Sequence, residues 1–177
     1  MDLSSLIGGL TKGSVADKIG QTTGASRSQV ESVIAAGLPI ILGQMGKNTT
    51  TGGGAKELDT ALAKDHSTGS LLDDLIGAVT RSDVREDGTK ILDHVFGPQQ
   101  TTANQQVAKK TGIDTETVAK ILAVLAPIIL AYLGRKKTDE NLDAGGVSDV
   151  LQQQRDNDGN PLIDIATSVL GGLFNKR

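Results

Sequence analysis

Residues 107–135 read VAKKTGIDTETVAKILAVLAPIILAYLGR, and residues 19–47 read IGQTTGASRSQVESVIAAGLPIILGQMGK. Slid by 88 positions, the two stretches align without a gap, and nine of their 29 pairs are identical. The identities include Thr23 with Thr111, Gly24 with Gly112, Ala35 with Ala123, and the run Pro39-Ile40-Ile41-Leu42 with Pro127-Ile128-Ile129-Leu130. Most differences are mild, as in Val33 for Ile121, Ile34 for Leu122 and Lys47 for Arg135. A gapless match of this length points to a duplicated unit. The stretch Asp87-Gly88-Thr89-Lys90-Ile91-Leu92-Asp93 also returns as Asp158-Gly159-Asn160-Pro161-Leu162-Ile163-Asp164, at a shorter offset. That change of offset places an insertion or deletion between the two elements. Two diverged copies account for it better than a solenoid, whose single period persists through about three repeats or more.

Each copy reads as helix, corner, helix. Gly24 and Gly112 stand where a left-handed residue closes a helix. Ser26 and Asp114 stand where the next helix needs an oxygen for its free N–H groups. Gln29 completes a capping box with Ser26, whereas Thr117 is too short to do so with Asp114. Beyond the cap, Val30, Val33 and Ile34, like Val118, Ile121, Leu122 and Leu125, follow helical spacing. Pro39 and Pro127 then interrupt the apolar run. Their rings press on the carbonyl four residues back, of Ala35 and Ala123, so a kink or restart is expected at each. The Ile-Ile-Leu that follows is apolar on nearly every side and marks the buried centre of each unit, ending near Gly46 and Gly134.

Further amphipathic helices follow from the spacing of Leu3, Leu6, Ile7 and Leu10; of Leu71, Leu72, Leu75, Ile76 and Val79; and of Leu162, Ile165, Ala166, Val169, Leu170 and Phe174. Ile91, Leu92, Val95 and Phe96 are expected to begin another, and each Asp-Gly pair reads as a turn feeding a helix. Residues 47–55 (KNTTTGGGA) and 97–104 (GPQQTTAN) read as loops, and no β-alternation of useful length occurs. The expected fold is therefore all-α and multihelical. It has two tandem diverged copies, residues 1–97 and 98–177, packed as one body with a proline-kinked buried helix in each.

Residues 91–97 (ILDHVFG), 107–112 (VAKKTG), 125–129 (LAPII) and 133–135 (LGR) resemble the YidB-like bacterial family, a domain of unknown function. The resemblance covers most of the chain. It implies a helical bacterial protein with no assigned activity and supplies no catalytic residues.

Charge and composition narrow the function. A net charge of −3 and a pI near 5.3 argue against the broad basic surface that phosphate backbones require. The absence of cysteine removes disulfides, thiolate nucleophiles and thiolate metal sites, and accords with a cytoplasmic setting. The N-terminus lacks the basic start of a signal peptide. The most apolar run, Ile121 to Leu133, has 13 residues, short of the roughly 20 that cross a bilayer. Aromatic residues number only three, Phe96, Tyr132 and Phe174, so the core must be built from aliphatic side chains.

Residues 107–118 have the cadence of a helix-turn-helix, yet the second helix offers few base-reading side chains and runs straight into the apolar centre. His66 and His94 are the only histidines, and neither has a partner at metal-ligand spacing. Placing Gly159 at position six of a calcium loop puts Gln154 and Ile165 where carboxylates are needed. Gly52-Gly53-Gly54 follows no strand, so a phosphate loop is excluded and a linker is expected. No cofactor is called for. What remains is a non-enzymatic helical module that binds protein, including itself, with a nucleic-acid binder and a small apolar ligand carrier as alternatives. Leu3, Leu6, Ile7, Leu10, Leu170 and Phe174 are the candidate contact residues, unless the terminal helices fold back to complete the core.

Overall fold

Pro39 and Pro127 each fall inside one uninterrupted helix. The computed structural model describes residues 3–64 and 69–156, and every regular element among them is helical. In chain order these are α1 (Leu3–Thr11), α2 (Gly13–Thr23), α3 (Arg27–Thr49), α4 (Gly54–Lys64), α5 (Gly69–Asp73), α6 (Leu75–Thr80) and α7 (Ser82–Phe96). A 3₁₀ turn at Gly97–Gln99 leads to α8 (Gln100–Thr111), α9 (Thr115–Asp139) and α10 (Ala144–Asp156). Pro39 lies within α3 and Pro127 within α9, so neither restarts the chain. Both helices also pass Gly46 and Gly134, since the good helix formers Lys47, Arg135, Lys136 and Lys137 follow and their charge suits a helix C-terminus.

The corners are built as their residues predict. Gly24 (φ 79°) and Gly112 (φ 71°) both close their helices in the left-handed region, where a side chain is strained. Ser26 accepts from the Gln29 N–H while the Gln29 side chain accepts from the Ser26 N–H, a complete capping box. Asp114 accepts from the Thr117 N–H at 2.8 Å with no reciprocal bond. Just before each corner, the hydroxyl of Thr23 or Thr111 donates to the carbonyl four residues back.

At the centre α3 packs against α9. The approach is close at Gly37, where an added methyl would overlap the Leu122 side chain. From Ile121 to Leu133 only Leu130 is not buried. Each full burial of such a side chain contributes roughly 1.5–3 kcal/mol, which makes α9 the main store of apolar stabilisation. Its most extensive neighbour is α7. Pro127 has no N–H for the Ala123 carbonyl, and Gly88 of α7 sits directly over that carbonyl, with its missing Cβ 3.0 Å from the Pro127 ring.

Several expectations are corrected here. Asp87 and Gly88 form no turn but lie inside α7, because a glycine at a helix crossing has the same composition as a turn glycine. Ile91, Leu92, Val95 and Phe96 end that helix instead of beginning it. The expected helix over residues 71–79 is broken at Asp74, whose carboxylate accepts from the Gly77 N–H and caps α6. Leu6 and Leu10 of α1 point into the core at 2% and 0% exposure, and Ile7 packs partly against it. The side chain of Leu3 and all of His66, Leu170, Phe174 and the remaining C-terminal segment lie outside the described residues. Finally, the 13-residue apolar run is the middle of a 25-residue helix that is long and apolar enough to cross a membrane. Within the molecule, 72% of its most apolar stretch is buried.

Candidate functional site

The end of α3, the start of α4 and the end of α7 enclose a groove of about 1240 Å³. It joins two stretches that are far apart in sequence, the glycine-rich residues 51–54 and the ILDHVFG segment. A side-chain bond holds them together. The last carbonyls of a helix lack intrahelical donors, and that of Val95 is satisfied by the Asn48 side-chain amide at 2.8 Å. Gln44 in turn donates to the Asn48 side-chain oxygen at 3.0 Å. Gly54 packs so closely on the Asn48 carbonyl that an added methyl would overlap it. The glycine run is thus a tight connection into α4 and not the linker expected from composition.

The groove has an apolar floor and a charged rim. Met45, Val95 and Phe96 are buried beneath it, while Leu58, Ile91 and Leu130 are partly exposed along it. Leu130 is the one surfacing residue of the α9 apolar run, although the residue aligned with it, Leu42, is 3% exposed. At the rim stand Lys56, Glu57, Lys90 and His94. His94 lies 3.9 Å from Glu57, and both side chains are largely exposed. At that distance the two groups are too far apart for a hydrogen bond that would fix the ring's orientation. Asp59 on α4 meets Lys137 at 2.5 Å, and the buried Thr49 hydroxyl meets that of Ser148 at 2.8 Å; these contacts tie α4 and α10 to α9 and α3.

Among the described residues no group of three or more His, Cys, Asp or Glu side chains could hold a metal ion. The helix-turn-helix cadence at α8–α9 leads into the buried centre. The exposed start of α9 presents Glu116, paired with Lys120 at 2.7 Å, and the Asp114 carboxyl. That carboxyl is held below its ordinary pKa by the Thr117 backbone N–H first and the Thr117 hydroxyl second.

The candidate residues therefore separate by role. Gly24, Gly112, Pro39 and Pro127 are parts of the scaffold, and Leu6 and Leu10 are core. Residue spacing alone does not mark Leu58, Ile91, Leu130 or Asn48 as a site. The available signal was the ILDHVFG segment itself, whose residues line the groove.

Residues 5–136 match a family described as bacterial protein of unknown function, DUF937, so the chain belongs to that family. The match spans α1 through most of α9 and includes the groove. No curated protein and no solved structure matches the chain.

Proposed function

We propose that this member of a bacterial family of unknown function is a non-enzymatic helical interaction module whose groove takes an apolar segment of a protein, first of all a second copy of itself. The observation that carries the reading is that Leu58, Ile91 and Leu130, each partly exposed, share one groove with a charged rim. Helical segments dock in such grooves through a few apolar anchors, while rim charges set orientation. A small-molecule pocket encloses roughly 300–1,000 Å³; at about 1240 Å³ this groove suits a chain segment better than a carried apolar ligand.

The proposal extends to the scaffold. We read the chain as two tandem copies with a helix bent at its proline in each, YidB-like in kind and cytoplasmic in setting. Three local agreements support the duplication. Both corners close on a left-handed glycine, both cap residues are extended, and Pro39 and Pro127 each occupy the thirteenth position of their helix.

The test is the native mass of the full chain, by light scattering, over rising concentration, for the wild type and for Leu58→Glu and Ile91→Glu. Self-association predicts a mass that rises with concentration for the wild type and stays monomeric in both variants. A wild type that remains a monomer throughout overturns the self-association form of the proposal.

A further inference from the structure

The two aligned long helices are covered unequally. On α9, Ala123, Pro127 and Ile128 are buried and Ala131 is 1% exposed. On α3 the aligned Ala35, Pro39, Ile40 and Gly43 are only partly buried, and a methyl added at Gly43 would meet open space. What covers α9 is α7, with Gly88 over the Ala123 carbonyl. The equivalent carbonyl on α3 belongs to Ala35, which Pro39 likewise deprives of a donor. Among the described residues, nothing buries this face of α3 as α7 buries that of α9.

The sequence after α10 contains a second version of the covering element. Residues 158–164 (DGNPLID) repeat residues 87–93 (DGTKILD), the part of α7 that starts at the crossing glycine. Beyond them Ile165, Ala166, Val169 and Leu170 continue an apolar helical spacing. The segment also starts in the right place. α10 packs on α3, and its Ser148 is bonded to Thr49. Ala35 lies 14 residues of helix before Thr49, about 21 Å at 1.5 Å per residue. From Ser148, the rest of α10 spans about 12 Å and three extended residues add about 10 Å, so the chain is long enough to bring Gly159 to Ala35.

We propose that residues 158–170 dock in cis on the Ala35–Pro39–Gly43 face of α3, with Gly159 over the Ala35 carbonyl as Gly88 lies over that of Ala123. The inference rests on the duplication reading. It gives the apolar C-terminal segment an intramolecular seat and leaves the groove free for a partner.

The chain has no cysteine, so engineered pairs report cleanly. In the full chain, Gly43→Cys combined with Leu162→Cys, and separately with Ala166→Cys, should oxidise to a disulfide within the monomer in at least one pair, equally at every protein concentration. Adding Gly159→Leu should abolish it, because the side chain would strike the carbonyl. Disulfides formed only between chains, in neither pair, or undiminished by Gly159→Leu overturn the docking. A cap exchange, Ser26→Asp with Asp114→Ser, separates this from failure of the duplication. Equivalent corners tolerate the exchange with little change in melting temperature. A sharp loss of stability overturns the duplication, whereas a tolerated exchange without the disulfide overturns the docking alone.

Discussion

At Asn104, Gly88 and Asp114 a local physical effect sets the sign of a substitution. Asn104 is 7% exposed on α8, and among the described residues its side-chain oxygen has no hydrogen-bond partner; the residue aligned with it is Ala16, fully buried. An unsatisfied buried polar atom costs about 1–3 kcal/mol, and Asn is a poorer helix former than Ala. Asn104→Ala should therefore stabilise the protein, raising its melting temperature by about 2–4 °C for about 1 kcal/mol; a lower melting temperature would show that the amide has a partner. Gly88 makes the opposite case. A mid-helix Gly→Ala change ordinarily gains up to about 1 kcal/mol, and Gly8→Ala, with open space around it, should do so. At Gly88 the added methyl meets the Ala123 carbonyl, and overpacking of about 1–3 kcal/mol wins, so the same change should lower the urea midpoint. Asp114 tests the pH dependence. Its carboxyl titrates below the ordinary Asp value because the Thr117 N–H holds the charged form. A depressed folded value contributes stability above the unfolded pKa of about 3.9, which is lost as pH falls through the folded value. Asp114→Ser, which carries the uncharged cap of the first copy, should lose less stability than wild type between about pH 5 and pH 3, as read from denaturation midpoints.

At the scale of the element, what could be read in advance depended on whether a helix's neighbours leave a mark on its own residues. Corners do leave such a mark. A Thr-Gly pair followed by Ser or Asp encodes the stop, the left-handed residue and the next cap within a few positions, and all of these take the expected geometry. Crossings do not. Gly88 and Gly54 carry the same composition signal as any turn glycine, yet one is inside α7 against α9 and the other opens α4 against the Asn48 carbonyl. The groove was hidden for the same reason. Leu42 and Leu130 each end an identical Pro-Ile-Ile-Leu run, but α10 packs far more on α3 than on α9, and Leu42 is buried while Leu130 surfaces. The 25-residue length of α9 was likewise masked, since its charged last turns look like the end of an apolar run while they extend the helix past it.

For the molecule as a whole, the question is whether two copies in sequence are two units in stability. Buried side chains from α1, α2 and α3 belong to the same cluster as those from α8, α9 and α10, and Gly37 admits Leu122 at its middle. Neither half can unfold without exposing the face on which the other packs, so unfolding should be a single two-state event. The chain offers a direct probe, because Tyr132 on α9 is its only tyrosine and it has no tryptophan. Its fluorescence reports the second half alone, whereas far-ultraviolet circular dichroism reports every helix. The two transitions should coincide in urea. Leu10→Ala sharpens the test, since Leu10 lies on α1 in the first half at 0% exposure and its truncation should cost about 2–5 kcal/mol. In one cooperative body that loss moves the Tyr132 transition as far as the dichroism transition. If the tyrosine midpoint stays in place while the dichroism curve splits, the copies are independent domains. The close packing of Gly37 and Leu122 would then carry no coupling between them.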